Sequence, residues 1–599
     1  MGRAQRPPCF QCRCRKVRCD RRLDQCGNCE RLSFNCSFQK VSDRDSVVRA
    51  DSRVQTDHPG RRRGIQACTE CHRQKARCSG EFPECTNCQR RRRPCRYPGS
   101  SSRLGHKAQH HSSPDQDNVG QDGNEEISGQ AIHRKELEER VDDYFKYLYP
   151  IPLYAFLHEP SIRQHCTEGT LNQNLACSIA AVVKEVLSPN PGYSDECQLR
   201  IAQVETHIWK QLERPDIICL QCLLLVIHYF IQVGRFSRAY MLAGLAARGA
   251  TALRLNHERP ELSFIAQETR RRVLWALSSI DGSFSVGLPE YETIPHAVIY
   301  QRLPCSEAAF RDGRLTLTPG TNWFWRGNND SAEGCSLFAA CIRVAKISKD
   351  IMRLTRQLAL SEQPLTQLSG LIQEIQNDLW RLQTDVELSF QYRVSSPAQV
   401  AQMRSSRWFV RYLQISITWN QAHCDLYRLF LPDYNGAAPK IITDSIDHDL
   451  KTQALEKCQE HVLNINCIIR GILDFSPLPV LLPPYVAVCA YHATRLTLFL
   501  PCAPDLNRQN NWSSATETAD VALSVLRRFF AKSAAAEKMI LDMENLVNLS
   551  KMGPESVYQE LRYPLPPFDQ GLHRHSHLAV HSLIRQSNFI DGGYEIYDG

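Results

Sequence analysis

The sequence predicts two small metal-stapled modules followed by a large all-α domain, and three patterns support this fold class. The first pattern is the cysteine spacing C-x2-C-x6-C-x6-C-x2-C-x6-C, formed by Cys9, Cys12, Cys19, Cys26, Cys29 and Cys36. The second is its repetition without a slip at Cys68, Cys71, Cys78, Cys85, Cys88 and Cys95. The third is the helical period of apolar residues after residue 132, where strand-like alternation is scarce. The 599 residues are too many for one compact domain.

Charge and cysteine content are concentrated at the N-terminal end. Residues 1–98 carry 24 Lys and Arg against 10 Asp and Glu, whereas the remainder carries 48 against 54. Thirteen of the 26 cysteines also precede residue 99. A basic head on a mildly acidic body predicts that the head meets a polyanion.

The sequence contains no recognisable secretory signal, and its most apolar run, Ile217 to Ile231, is shorter than a bilayer span. We therefore expect no membrane partner and a reducing compartment. Under these conditions paired cysteines are metal ligands more often than disulfides.

Counting ligands favours two zinc ions for each set of six cysteines. Structural zinc is tetrahedral, so two ions need eight ligand positions, and six thiolates fill eight positions only when two of them bridge. The count predicts zinc as the cofactor, with two ions per module and four in the chain. The alternatives are one four-cysteine site built from the two C-x2-C pairs, and a disulfide framework. Because each module has almost no apolar residues, metal binding must supply its folding energy.

Both stretches resemble the fungal binuclear zinc cluster DNA-binding domains, the Zn(2)-C6 transcription factors. The segments CFQCRCRKVRCD and CTECHRQKARCSG resemble the first half of that motif, and CGNCERLSFNC and CTNCQRRRRPCRYPG resemble the second. Two departures are visible: Asp24 stands where the family often has proline, and Cys14 is a seventh cysteine, predicted to be a free thiol.

The resemblance implies that a short helix following a C-x2-C pair enters the major groove, usually at CGG-type triplets. It places four side chains near the bases, namely Arg15, Lys16, Gln74 and Lys75. Arginine and lysine can donate to guanine O6 and N7. The surrounding arginines are predicted to neutralise phosphates, namely Arg13, Arg18, Arg73, Arg77 and the run Arg90 to Arg93.

The 31 residues between Cys36 and Cys68 connect the modules. As a flexible coil this linker would average about 30 Å from end to end, close to the roughly 34 Å of one turn of B-DNA. We therefore expect one chain to reach two triplets, where family members commonly pair two chains through a coiled coil.

From Ile132 onwards the pattern is helical. Apolar residues at helical steps include Leu137, Val141, Tyr144 and Leu148, then Val273, Leu277, Ile280 and Phe284, then Leu368, Ile372, Ile375, Leu379 and Leu382. The first set predicts the opening helix of the body, with a short dimerising coiled coil as the alternative. The Ile217–Ile231 run, after Pro215 and Asp216, predicts a buried core helix.

Glu268 and Arg270 to Arg272 are predicted to form an exposed, salt-bridged helix face, with an anion site as the alternative.

Residues Val141 to Glu290 also resemble the middle regulatory region of the same fungal family. The predicted domains are module one at 5–40, a basic linker at 41–64, module two at 65–99, a linker at 100–131, the all-α regulatory domain at 132–560 and a tail at 561–599. In the tail, NFIDGGYEIYDG is interpreted as an ordinary frayed terminus, with a short activation segment as the alternative because acidic residues stand among aromatics.

These patterns predict a nuclear, sequence-specific DNA-binding transcription factor for RNA polymerase II genes of a metabolic or specialised biosynthetic pathway. Its predicted partners are double-stranded DNA, the transcription machinery, a second copy of the chain and a small-molecule effector of the helical domain. The sequence contains no catalytic motif of the hydrolase, metalloprotease or nucleotide-binding types, and we predict no enzyme activity. The alternative function is a zinc-thiolate storage or redox-sensing protein.

Overall fold

The structure is a computed structural model that divides the chain into two compact units, Met1–Gly123 and Asn124–Gly599. The residues it describes are 9, 12, 19, 20, 22, 26–31, 69–73, 88, 90, 91, 93, 132–188, 194–318, 320, 336–361, 367–473, 481–502, 512–562 and 581–587.

Two one-turn helices are described in the N-terminal unit, α1 (Gly27–Arg31) and α2 (Thr69–Arg73). Each begins directly after the first cysteine of a C-x2-C pair. The Asp20 carboxylate accepts hydrogen bonds from the Gly27 N–H at 3.0 and 3.1 Å, so it satisfies a backbone donor at the start of α1. A Cβ on Gly27 would lie 2.9 Å from Asp20 Oδ2, so a larger residue here would require the Asp20 carboxylate to shift.

The second unit is built from helices of one to seven turns. Its first half contains α3 (Arg134–Asp143), α4 (Glu159–Glu168), α5 (Gln173–Leu187), α6 (Asp195–Lys210), α7 (Ile217–Gln232), α8 (Phe236–Ala252), α9 (Phe264–Ser285) and α10 (Glu307–Arg311). Its second half contains α11 (Leu337–Leu360), α12 (Leu368–Phe390), α13 (Pro397–Gln402), α14 (Phe409–Tyr427), α15 (Lys440–Ser445), α16 (His448–Leu473), α17 (Pro484–Phe499), α18 (Trp512–Phe529), α19 (Ala534–Met552) and α20 (Pro554–Leu561). Among the described residues, β pairing is limited to one bridge between Tyr434 and Arg562. The all-α prediction for this domain is confirmed.

One apolar core runs through the whole helical unit. In the first half α5 packs against α6 and α7, and α7 packs against α8. In the second half α14 lies between α11 and α16, and α17 contacts α16, α18 and α19. Contacts of α9 with α11 and of α7 with α19 join the halves, so the buried cluster is continuous from Val141 to Ile584.

The predicted core helix is present as α7, Ile217–Gln232. Asp216 caps it by accepting a hydrogen bond from Cys219 N–H at 2.7 Å. The residues from Leu223 to Ile227 are all at most 3% exposed, which is why this helix is apolar on every side. In the described part of the chain, no helix combines the length and apolarity that crossing a bilayer requires.

The other predicted stripes also face the core. Val141, Tyr144 and Leu148 are buried along α3 and its π-helical continuation Tyr144–Leu148. These burials favour the opening-helix interpretation of this stripe. The stripes in α9 and α12 are buried as well, with Ile375 partly exposed.

The prediction of an exposed charged face on α9 is wrong. Glu268 and Arg272 are 0% exposed and Arg271 is 5% exposed. Arg272 donates to Glu268 at 2.9 Å and to Glu307 at 2.9 Å, and Arg411 also pairs with Glu307. These charges can be buried because partners from distant parts of the chain neutralise them. The predicted salt bridges are therefore present, but they lie in the interior and not on an exposed face.

Candidate metal centre and nucleic-acid interface

The sulfurs of module one converge on one point. The Sγ atoms of Cys9, Cys12, Cys19 and Cys26 all lie within 4.8 Å of one another. Cys29 joins them, with its Sγ 3.7 Å from that of Cys9. All except the half-buried Cys19 are at most 1% exposed, and none of the five forms a disulfide.

These separations suit zinc. In a tetrahedral site with zinc–sulfur bonds of roughly 2.3 Å, neighbouring sulfurs lie about 3.8 Å apart. The Cys12–Cys26 separation is 3.5 Å and the Cys9–Cys26 separation is 3.6 Å. A disulfide would need about 2.05 Å, so the sulfur positions fit a shared cation and exclude the disulfide alternative for these cysteines.

The local backbone supports the same arrangement. The Cys12 N–H points at Cys9 Sγ at 3.4 Å, and the Cys9 N–H points at Cys19 Sγ at 3.5 Å. Such N–H groups stabilise thiolate charge. Without a cation, burial raises the pKa of Cys12 to about 12, so buried thiolates here require a compensating positive charge.

The two described cysteines of module two are arranged like those of module one. Cys71 and Cys88 are buried, and their Sγ atoms lie 3.9 Å apart. The remaining predicted ligands lie outside the described residues, namely Cys36, Cys68, Cys78, Cys85 and Cys95. Cys14 also lies outside them.

The described arginines of both modules are exposed, in contrast to the cysteines; they are Arg22, Arg31, Arg73, Arg90, Arg91 and Arg93. Of the twelve predicted DNA contacts the structure describes Arg73, on α2, with 73% of its side chain exposed, and the exposed Arg90, Arg91 and Arg93. The other eight lie outside the described residues, namely Arg13, Arg15, Lys16, Arg18, Gln74, Lys75, Arg77 and Arg92.

Sequence reasoning missed the acidic side chains that organise these arginines. Glu70 accepts from Arg73 at 3.0 Å and from Arg93 at 3.3 Å, so it links the two halves of module two. The hydrogen bond to Glu70 raises the pKa of Arg73. In module one Arg22 pairs with Asp20 at 3.1 Å. A signal was present, since Glu70 stands inside a C-x2-C pair and must therefore lie near the metal centre.

The helical unit has a shallow cleft of about 410 Å³ lined by Pro289, Arg353, Arg356, Gln357, Leu360 and Ser361. Arg353 pairs with Glu292 at 2.7 Å, and Arg356 pairs with Glu290 at 2.5 Å. Because both arginines are already neutralised, the cleft offers no free positive charge for an anionic ligand.

Comparisons with known proteins agree with this geometry. The family model described as the fungal Zn(2)-Cys(6) binuclear cluster domain matches residues 7–45 and again residues 66–104. The fungal specific transcription factor domain matches residues 141–392, about a hundred residues beyond the predicted resemblance.

Curated relatives carry the same class of name. The Zn(2)-C6 fungal-type transcription factor FTF1c of Fusarium oxysporum f. sp. lycopersici is 25% identical over 441 residues, covering 64% of this chain and 46% of the relative. FTF2 of the same organism is 25% identical over 324 residues, covering 47% and 29%. Transcription factor tazR of Aspergillus terreus is 30% identical over 141 residues, covering 22% of each chain. The chain thus spans less than half the length of these relatives.

The combination of two zinc cluster domains with a fungal specific transcription factor domain defines the class of protein. The chain belongs to the fungal Zn(2)-C6 transcription factors, with two tandem zinc clusters and the fungal-specific middle region. Zinc is accordingly the metal of the sulfur site.

Proposed function

We propose that this protein regulates RNA polymerase II transcription in the nucleus by binding a specific DNA sequence through its two zinc clusters. The observation that carries the proposal is the convergence of Cys9, Cys12, Cys19 and Cys26 in a motif that the chain contains twice. Two matches to the binuclear cluster domain support it.

We also propose two zinc ions per cluster and four in the chain, and the two matches to a binuclear cluster domain support this count. A single four-cysteine site would use the C-x2-C pairs and leave Cys19 unused. The Cys19 sulfur instead lies within 4.8 Å of those of Cys9, Cys12 and Cys26. Metal analysis of purified protein distinguishes four ions per chain from two.

The electrostatics of the modules favour DNA as the partner. Sulfur ligands are buried while the described arginines are exposed, so the positive charge is available to phosphates. We propose that Arg15, Lys16, Gln74 and Lys75 read bases, at CGG-like triplets, and that Arg13, Arg18, Arg73 and Arg77 contact phosphates. Arg73 bonds Glu70 through Nε and Nη2 while 73% of its side chain is exposed.

One chain with two clusters suits a bipartite site. The experiment is selection of bound sequences from random DNA by the zinc-loaded full chain, repeated with Cys12→Ser and with Cys71→Ser. We expect two short triplets at fixed spacing, and each variant should lose its own triplet.

Three outcomes would count against this proposal. Binding without sequence preference or salt dependence would support the zinc storage or redox-sensing alternative. An unchanged site in either variant would show that the corresponding cluster does not read DNA. A symmetric site bound only by a dimer would show that pairing of two chains replaces the tandem arrangement.

The helical domain is proposed to regulate this DNA-binding activity. The match of residues 141–392 to the fungal specific transcription factor domain supports a regulatory role for this domain. We propose that it acts on a metabolic or specialised biosynthetic pathway, in response to a small-molecule effector and together with the transcription machinery. Ligand-dependent protection of the full chain against thermal unfolding is the test for an effector.

A further inference from the structure

A short non-helical segment near the C-terminal end is held in the core of the helical unit. This segment, residues 581–587 (HSLIRQS), is called the strap below. Leu583 and Ile584 are 5% and 6% exposed and belong to the continuous core, whereas Arg585 between the buried positions faces solvent. The strap is separated from the end of α20 at Leu561 by about twenty residues.

The strap completes the C-terminal end of α9. A helix leaves its last carbonyl groups without partners inside the helix. The Leu583 N–H donates to the Ser283 carbonyl at 3.3 Å, and the Ser582 hydroxyl donates to the Phe284 carbonyl at 3.0 Å. The chain turns away sharply after α9, with φ of +46° at Val286, so these carbonyls face an incoming segment.

Two more helices complete the surface under the strap. The Gln586 amide donates to the Ala535 carbonyl in α19 at 3.2 Å. The His581 ring nitrogen Nδ1 lies 3.2 Å from Nε2 of His492 in α17. The strap therefore bridges α9, which lies in the matched regulatory region, and two helices beyond that region.

This surface recognises its occupant as a peptide. Its contacts use main-chain groups, a small hydroxyl, an amide and two adjacent aliphatic side chains, and no regular secondary structure of the occupant. Ordering such a segment costs conformational entropy at every residue, while only two aliphatic side chains bury substantial apolar area. Its attachment must then depend on the high effective concentration that the covalent connection provides.

We propose that the ends of α9 and α19 together with His492 of α17 form a peptide-docking site, that the chain's own residues 581–587 occupy it, and that this occupant exchanges with a free peptide of the same sequence. The site would let the helical domain hold or release the C-terminal end of the chain.

The test uses the zinc-loaded full chain and a fluorescent peptide covering residues 579–589. In the variant Leu583→Asp/Ile584→Asp the tethered strap cannot dock, so the peptide should bind. Wild-type protein should bind the peptide at least tenfold more weakly, because the tethered strap competes. Arg585→Ala, which changes an exposed strap residue, should behave as wild type.

A peptide carrying the two aspartates is the control for recognition and should not bind. If the double variant keeps its helical circular dichroism and still fails to bind the wild-type peptide, the proposal is overturned. Equal binding to wild type and variant would overturn it too, since the peptide would then use another surface.

A second variant tests whether the strap exchanges while its own sequence stays unchanged. A protease site introduced between residues 563 and 580 converts the strap into a cleaved fragment. After cleavage we expect the fragment to exchange with the labelled peptide upon dilution. A fragment that stays bound through gel filtration and resists exchange would show that the strap is a permanent part of the fold.

Discussion

Cysteines are buried in both units of the molecule, but they serve different purposes. In module one the Cys26 sulfur lies 3.6 Å from the Cys9 sulfur and 3.5 Å from the Cys12 sulfur. In the helical unit Cys424 and Cys489 are equally buried among apolar side chains, and burial raises the pKa of both thiols well above the ordinary value. Burial alone therefore does not make a cysteine a ligand; convergence of several sulfurs does.

The same contrast separates the forces that stabilise the two units. The N-terminal unit has a core of sulfur, which is stable only around a cation. The helical unit has an apolar core that extends from Val141 to Ile584 and needs no metal. A change that destabilises one unit should therefore leave the stability of the other unit unchanged.

Removal of zinc should have the largest effect. Each structural ion contributes roughly 10–16 kcal/mol to the folding of a small zinc module. A strong chelator should abolish DNA binding while the helical circular dichroism changes little, and added zinc should restore binding. Retained sequence-specific binding in metal-free protein would contradict the role given to the sulfur cluster.

Substitution of single cysteines sharpens the comparison. Cys12→Ser should lower the zinc content and abolish the contribution of module one to DNA binding, because a cluster sulfur is lost. Cys424→Ala, at a matched burial of 0% in the helical unit, should leave zinc content unchanged and cost about 1 kcal/mol of stability through packing. Equal zinc loss in both variants would remove the distinction between the two sets of cysteines.

Loss of Glu307 should weaken the helical unit alone. Burial acts to raise the pKa of Glu307, but Arg272 and Arg411 outweigh it and hold that pKa at about 2. Glu307→Ala leaves both arginines partly uncompensated and should lower the free energy of unfolding by about 3–5 kcal/mol.

The matched control for Glu307 is Glu517→Ala, which removes an exposed partner of Arg470 at 3.2 Å. It should cost less than about 1 kcal/mol. Denaturant unfolding followed by circular dichroism gives both values, and similar losses would argue against a special contribution of the buried network.

Acidification should destabilise the helical unit progressively. Burial lowers the pKa of His228, His461 and His581 to about 4, and lowers those of His423 and His492 well below the ordinary value. An unfolded histidine titrates near 6.5, so between about pH 6.5 and 4 the unfolded chain binds protons that the folded chain does not.

The free energy of unfolding should therefore fall with decreasing pH in that window, by up to about 1.4 kcal/mol per pH unit for each such histidine. His228→Phe should reduce the slope, because it removes one of these buried imidazoles. A flat profile from pH 7 to pH 4.5 would show that these imidazoles are already solvated.

Much of the metal site was predictable because its ligands are close in sequence. The spacing identified Cys9, Cys12, Cys19 and Cys26, whose sulfurs do converge. The apolar stripe of α7 was equally predictable, since its period and the Asp216 cap are local features. The link that Glu70 makes between Arg73 and Arg93 was missed, because it joins side chains from opposite halves of a module.

By itself the sequence determined the zinc modules, the all-α character of the body and the position of its most buried helix. These properties follow from ligand spacing and helical period, which act over a few residues. Tertiary structure alone decided that Arg272 is buried, because its partner Glu307 comes from α10 and is shared with Arg411 of α14. It also decided that Ser582 docks on Phe284, since a contact across 298 residues depends on how the whole core closes.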